Sequence, residues 1–220
     1  MNVSKCPFFF TCVQKGRCAK KWTAHSRLGD FFINKFMLKL NNRKLKVGVN
    51  RMDKYIKLSG IAYESLVNGP GIRRVFFSQG CSHNCKGCFN PDTHPFDGGE
   101  LRDMDELIED VKENPMIKGI TFSGGDPLEQ ADKFAYMAKK FKKLGLNIWS
   151  YTGYKFEYIL AHLDRREGWK DLIDNLDGLV DGRFELENKK DGLRFKGSTN
   201  QRIIDVKKSL ETGRIVELEI

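Results

Sequence analysis

From residue 73 to residue 182 the sequence alternates between short apolar runs and amphipathic segments, and this order constrains the fold more than any other feature. The pattern predicts strands at 73–78, 117–123, 146–153 and 178–182, and helices at 104–114, 128–144, 155–163 and 170–176. Such alternation is typical of an α/β fold with a mainly parallel sheet, in which functional residues follow the carboxyl ends of strands.

The positive charge of the chain is concentrated in its first quarter. The formal net charge is +9, yet residues 1–51 alone hold twelve Lys and Arg side chains against one acid, Asp30, a net of +11. Residues 52–220 hold the other 26 basic and 28 acidic side chains, a net of −2. We therefore predict one domain over 52–220, preceded by a basic extension over 1–51 that is disordered or lies upstream of a native start at Met52. The cysteines of this extension are predicted to be free thiols: Cys6, Cys12 and Cys18.

The charge distribution also bears on partners and location. A nucleic-acid-binding body would carry a basic patch with interleaved aromatic residues, and residues 52–220 show none. No stretch approaches the roughly 18 apolar residues of a membrane span. We expect a cytoplasmic protein that binds neither nucleic acid nor membrane. In that reducing compartment, clustered cysteines bind metal or perform redox chemistry more often than they form disulfides.

Three of the six cysteines lie within eight residues, as Cys81, Cys85 and Cys88. A loop can wrap three thiolates around a four-iron cluster, which leaves one iron open. An open coordination position is typical of a metal site that performs chemistry. A structural zinc ion with His83 or His94 as fourth ligand is the alternative, although the second ligand pair usual in zinc sites is missing.

The segment "SGGDPL", residues 123–128, follows the second predicted strand. Gly124 and Gly125 allow the backbone to approach a ligand closely, and an adjacent acid can receive an ammonium group. Asp126 also fits the N-cap position of the following helix, with Pro127 at N1. Both roles of Asp126 remain open at this point.

The cysteine spacing, continued by Phe89 and Asn90, resembles the signature of radical S-adenosylmethionine enzymes. "GGD" resembles their Gly-Gly-Glu motif, with Asp126 in place of Glu. In that family, S-adenosylmethionine chelates the open iron. One electron from the cluster then cleaves S-adenosylmethionine to methionine and a 5′-deoxyadenosyl radical.

The resemblance implies a partial, open β/α barrel of the radical S-adenosylmethionine type. It also implies that three cysteines are the metal ligands of a 4Fe-4S cluster: Cys81, Cys85 and Cys88. The implied cofactor contacts are Gly87, Cys88, Phe89, Asn90, Ser123, Gly124, Gly125 and Asp126. Beyond the cluster and the cofactor, the resemblance implies no separate catalytic residue.

Several other segments narrow the resemblance. "VNGPG" (67–71), "SGGDPL", "WSYTGY" (149–154), "LVDGRF" (179–184) and "RFKGSTNQ" (194–201) occur in this order in proteins that activate anaerobic ribonucleoside-triphosphate reductases. This likeness, over about residues 52–205, implies formation of a glycyl radical on that partner, with an electron donor such as flavodoxin or ferredoxin. The segments also have plain interpretations as turns and strand ends.

Two alternative functions remain. The first is an activating enzyme of another glycyl radical enzyme, such as pyruvate formate-lyase, which shares the cysteine spacing. The second, from a different class, is a zinc-stabilised nucleic-acid-binding protein, suggested by the net charge of +9.

Overall fold

The computed structural model describes residues 54–220, and the chain forms a seven-stranded sheet there. The predicted extension over 1–51, the start at Met52 and the three cysteines before it lie outside the described residues. The strands are β1 (Tyr55–Ser65), β2 (Arg73–Ser78), β3 (Glu100–Asp103), β4 (Gly119–Gly124), β5 (Asn147–Tyr151), β6 (Gly178–Asp181) and β7 (Arg202–Asp205). Their order is β3-β1-β2-β4-β5-β6-β7, so β3 and β7 lie at opposite edges and the sheet is open.

The four central strands run parallel. β2 pairs with β4, β4 with β5, and β5 with β6 in parallel register, with Ser78 opposite Gly124 and Thr121 opposite Trp149. The pairings of β1 with β2, β1 with β3 and β6 with β7 are antiparallel. The α/β prediction is therefore confirmed, and the parallel arrangement holds for the centre of the sheet.

Five α-helices within residues 54–220 pack against one face of the sheet. They are α1 (Met104–Lys112), α2 (Ala131–Lys143), α3 (Phe156–His162), α4 (Trp169–Ile173) and α5 (Val206–Thr212). Short 3₁₀ turns occupy Pro91–Thr93, Pro127–Gln130 and Leu186–Asn188. Residues of all five helices join Phe76, Phe122 and Ile148 of the strands in one large apolar cluster, which leaves the other face of the sheet free of helices.

The helix ends follow from local sequence. The Asp103 carboxylate accepts a hydrogen bond from Asp105 N (2.9 Å) and caps α1. The predicted helix over 128–144 divides into a 3₁₀ turn and α2, and Gly145 follows it with φ of 77°. In the described part of the chain, no helix has the length and apolar character needed to cross a membrane.

The face of the sheet without helices positions the candidate site. Because side chains alternate along strands, every second residue of β2, β4 and β5 points to this face. Arg73 lies at the amino end of β2, and Thr121 and Trp149 lie near the middle of β4 and β5. The carboxyl ends of the strands contribute Phe77, Ser123 and Tyr151. The first three pack closely together, whereas the second three line a cavity.

Candidate active site

The three clustered cysteines line one cavity of about 310 Å³ at the carboxyl ends of the parallel strands. Their loop leaves β2 and is held by the segment that returns after it. Gly80 N donates to Thr93 O (2.8 Å) and Cys81 N donates to His94 O (3.1 Å). Cys81, Cys85 and Cys88 are all partly exposed, so their sulfurs can bind a group inside the cavity.

Backbone N–H groups are directed at the cysteine sulfurs. Burial raises the pKa of Cys81 to about 11, and hydrogen bonds from the backbone of His83 and Asn84 oppose this rise. Burial also raises the pKa of Cys85, against a backbone hydrogen bond from Phe184. A metal that binds these sulfurs as thiolates must therefore displace their protons, and N–H donors already in place stabilise the resulting negative charge.

This donor set fits a cluster better than a single ion. Among residues 54–220, no three His, Cys, Asp or Glu side chains lie close enough to hold one metal ion. His83 is also engaged elsewhere, because its Nε2 lies 2.7 Å from Asp126 Oδ2. A four-iron cluster takes one thiolate at each of several separate corners, as three cysteines around a shared cavity can provide. The zinc alternative, with His83 or His94 as fourth ligand, is not favoured.

The end of β4 and the residue that follows it form a second wall, made by Ser123, Gly124 and Gly125. Gly124 has φ of 93°, and a Cβ there would lie 2.6 Å from Ser78 N. A Cβ at Gly125 would lie 2.3 Å from Gly80 O. Two consecutive glycines are thus required for the end of β4 to lie against the end of β2 and the start of the cysteine loop, which explains "GG" physically.

The remaining walls come from the ends of β5 and β6 and from the segment before β7. They include Tyr151, Thr152, Gly153, Gly182, Phe184, Gly197 and Gln201, with Asn68 from the loop before β2. Phe89 packs on Phe184 with ring centroids 4.9 Å apart, and a Cβ at Gly197 would lie 2.7 Å from the Phe89 ring. Segments far apart in sequence therefore meet around the cysteines.

Comparison with known proteins agrees with this geometry. A family model described as a 4Fe-4S single cluster domain matches residues 67–204. Among curated relatives, the anaerobic ribonucleoside-triphosphate reductase-activating protein of Vibrio cholerae serotype O1 is 38% identical over 146 residues, which cover 63% of this chain and 90% of the relative. The protein of the same name from Escherichia coli strain K12 is 33% identical over 144 residues, which cover 62% of this chain and 90% of that protein. The one from Enterobacteria phage T4 is 35% identical over 148 residues, which cover 62% of this chain and 86% of that protein. The chain belongs to the family of anaerobic ribonucleoside-triphosphate reductase-activating proteins. The predicted resemblance is confirmed, and the family model supports the predicted 4Fe-4S cluster.

Six of the eight predicted cofactor contacts line the cavity of this activating-protein family member. They are Cys88, Phe89, Asn90, Ser123, Gly124 and Gly125. Gly87 lies outside the cavity lining, in a turn with φ of 74° beside Leu186. Asp126 also lies outside the lining and is fully buried, and its side chain accepts a hydrogen bond from Leu128 N (2.9 Å). The predicted N-cap role of Asp126 is therefore present, and cofactor binding by these eight residues stays a prediction.

Sequence reasoning did not single out several wall residues as site residues. Asn68, Tyr151, Thr152 and Gln201 lie in "VNGPG", "WSYTGY" and "RFKGSTNQ", so the order of these segments in the activating-protein family was the available signal. The burial of His83 has no such signal. A histidine in a polar loop is more often exposed, and the side chain that buries it is 43 residues away in sequence.

Proposed function

We propose that this chain activates an anaerobic ribonucleoside-triphosphate reductase by generating a glycyl radical on it. The observation that carries the proposal is the convergence of the three cysteines and Ser123–Gly125 on one cavity. The printed names of the relatives and the match to a 4Fe-4S single cluster domain support it. An enzyme that makes a radical needs a site that positions its cofactor, and this cavity brings the cysteines and the glycine backbone together around one space.

In this proposal Cys81, Cys85 and Cys88 hold a 4Fe-4S cluster and leave one iron for S-adenosylmethionine. When bound, these two groups supply the reductive cleavage that yields a 5′-deoxyadenosyl radical. The backbone of Ser123–Gly125 binds the cofactor, and the two glycines let this backbone lie close to Ser78 and Gly80 beside the cysteine loop. Phe89, fixed against Phe184, forms an apolar wall beside it.

The partner's glycine must reach the cavity from outside. A second cavity of about 400 Å³ adjoins the first and shares Asn68, Phe89, Tyr151 and Gly197 with it. Val67 is 75% exposed and Phe89 59% exposed at this rim. In our proposal the reductase segment enters across these apolar side chains, whose contact with a partner removes them from water.

The proposal has five further parts. The open sheet with four parallel central strands is a partial β/α barrel of the radical S-adenosylmethionine type. Residues 52–220 form the catalytic domain, and the six predicted contacts that line the cavity bind the cofactor. A flavodoxin or ferredoxin supplies the electron. The protein acts in the cytoplasm.

Anaerobic reconstitution tests the proposal. The wild-type chain is expected to bind about four irons and to release 5′-deoxyadenosine from S-adenosylmethionine after reduction, whereas Cys81→Ala, Cys85→Ala or Cys88→Ala should lose the cluster. Cys18→Ala is the matched control and should keep it. Electron paramagnetic resonance of the reduced protein mixed with the reductase should then detect a glycyl radical.

Three results would contradict the proposal. Stoichiometric zinc without iron–sulfur absorbance would rule out the cluster. Iron binding without cleavage of S-adenosylmethionine would rule out the radical chemistry. A radical formed on pyruvate formate-lyase but not on the reductase would reassign the partner.

A further inference from the structure

Asp126 turns away from the cavity and into the protein. Its side chain is fully buried, and both carboxylate oxygens already have donors. Oδ1 accepts from Leu128 N (2.9 Å), and Oδ2 accepts from Thr152 Oγ1 (2.9 Å) and Gly153 N (3.0 Å) and lies 2.7 Å from His83 Nε2. An ammonium group of a ligand would have to displace one of these donors to reach Asp126.

His83 brings the cysteine loop to this carboxylate. It lies midway between Cys81 and Cys85, and its side chain is 4% exposed. Its ring stands edge-on to Tyr154, with centroids 4.4 Å apart, and a Cβ at Gly153 would lie 2.3 Å from the His83 ring. The ring therefore occupies a slot that Gly153 leaves open, and its position fixes the middle of the loop between two cysteines.

The same two loops are also joined through their backbones. Asp126 N donates to Gly80 O (2.9 Å) and Gly125 N donates to Ser78 O (2.8 Å). Asp126 thus contacts the cysteine loop on both sides of Cys81. Its backbone N–H binds Gly80 before Cys81, and its carboxylate contacts His83 after Cys81. Because the carboxylate also binds the loop after β5, three strand ends meet at one buried side chain.

We propose that Asp126 and His83 are positioning residues, and that their buried contact fixes the cysteine loop relative to the cofactor-binding backbone of Ser123–Gly125. The inference rests on the proposed function, because it assigns these residues a role toward the cluster and S-adenosylmethionine. Without this contact the chain still has all three cysteines, but the loop that carries them is no longer held in a fixed position. A group bound between the two loops then loses affinity, as happens when residues that orient metal ligands are removed.

The test measures binding rather than turnover. Wild type, His83→Ala, His83→Gln and Asp126→Asn are reconstituted anaerobically, and the affinity of the oxidised protein for S-adenosylmethionine is measured by equilibrium dialysis. Iron content and the electron paramagnetic resonance spectrum of the reduced protein, with and without S-adenosylmethionine, are recorded for each. His162→Ala, at a partly exposed histidine on α3 whose ring stacks on Tyr158, is the matched control.

We expect His83→Ala and Asp126→Asn each to keep about four irons and to weaken S-adenosylmethionine binding by about 10- to 100-fold. The double variant should be no more than about threefold weaker than the stronger single variant, since both changes break one contact. His83→Gln, whose amide nitrogen can occupy the place of Nε2, should restore affinity and the cofactor-induced change in the spectrum. His162→Ala should match wild type. His83→Asn, with an amide too short to reach Oδ2, replaces His83→Ala if that variant does not fold.

Other results would overturn the inference. If Asp126→Asn weakens binding and His83→Ala does not, Asp126 is a direct ligand of the cofactor. If His83→Ala loses iron and His83→Gln does not regain it, His83 is a metal ligand. Wild-type protein that fails to bind iron or S-adenosylmethionine would instead contradict the proposed function itself.

Discussion

The two ends of the parallel strands each bury a charge, of opposite sign. At the amino end, Arg73 is 1% exposed and makes five hydrogen bonds, to the carbonyl oxygens of Pro70, Ile120 and Asn147 and to the side chains of Thr121 and Asn147. At the carboxyl end, Asp126 is fully buried among N–H and hydroxyl donors and His83. Both charges are thus stabilised largely by dipoles of the protein, as buried charges require.

The two ends differ in the space around the charge. The Arg73 guanidinium lies 5.6 Å from the Trp149 ring, and a Cβ at Gly119 would lie 2.3 Å from Arg73 Nη1. Burial lowers the pKa of Arg73 to about 10, so it stays charged at neutral pH. Asp126 instead lies directly behind an open cavity. We infer that the amino end contributes mainly stability, whereas the carboxyl end holds a ligand site in shape.

The largest expected effect follows from removing the charge at the closed end. Arg73→Met should lower the free energy of unfolding by about 2–4 kcal/mol, because several buried acceptors lose their donor at once. Urea unfolding of the apo-protein under reducing conditions measures this. Arg102→Met, on the edge strand β3 and paired loosely with Glu100 at 3.7 Å, is the control and should change stability by less than about 0.5 kcal/mol. Equal effects of the two variants would mean that Arg73 has no special role.

Gly119→Ala tests whether the closed end tolerates one added methyl group. The new Cβ would lie 2.3 Å from Arg73 Nη1 and 2.7 Å from Asn147 O, so one of them must move, at a cost of about 1–3 kcal/mol. Gly60→Ala, on β1 with nothing within 4 Å of its Cβ, is the matched control and should be neutral or slightly stabilising. If Gly119→Ala is as stable as Gly60→Ala, the packing around Arg73 is looser than we describe.

Much of the fold follows from sequence pattern, and the exceptions have physical reasons. "RRVFFS" predicts β2 over the observed residues, because a buried parallel strand is a continuous apolar run. Three strands escaped prediction. The edge strands β3 and β7 are short, and "ELRD" and "RIID" carry charges that solvent-facing edges accept. In β1, Gly60 and polar residues interrupt the apolar pattern of "YIKLSGIAYES". Arg73 itself gives no warning of burial, because the groups that bind it lie up to 74 residues away.

The candidate site also has features that the sequence predicts and features that it does not. The convergence of the cysteines and glycines on one cavity was predictable because it depends on short motifs at the ends of predicted strands. The contact between Asp126 and His83 was not, since it depends on which strands become neighbours. Sequence alone left two roles open for Asp126, and its cap on Leu128 N is the one that local sequence encodes.

At the open end, one added methyl group should affect the ligand more than the fold. Gly153→Ala would place a Cβ 2.3 Å from the His83 ring, which can shift toward the cavity, so we expect a loss of only about 1 kcal/mol in unfolding free energy. The affinity for S-adenosylmethionine should fall by about tenfold or more. Urea unfolding and equilibrium dialysis on the same preparation compare the two losses. A large loss of stability with unchanged affinity would remove the contrast between the two ends.

The smallest expected effect concerns an exposed ion pair near the same carboxyl end. Arg202 pairs with buried Asp181 and donates to both carboxylate oxygens of Glu157, at 2.8 Å each. Its hydrogen bonds lower the pKa of Glu157 to about 2. Since the folded-state pKa lies below the unfolded value of about 4.3, the pair stabilises the fold above that value and loses its contribution as pH falls toward 2. Glu157 is 57% exposed, so the contribution should be below about 1 kcal/mol.

Glu157→Gln tests this sign. Its unfolding free energy should fall below that of wild type at pH 7, and the gap should narrow as pH decreases from about 4.5 toward 2, because protonated Glu157 loses its charge in wild type as well. Glu211→Gln, at an exposed acid on α5, controls for the change in net charge and should show little gap at any pH. A gap that widens at low pH would show that Glu157 destabilises the folded chain when ionised. That result would contradict the lowered pKa of Glu157. It would also contradict the comparison between this exposed ion pair and the buried side chains of Arg73 and Asp126.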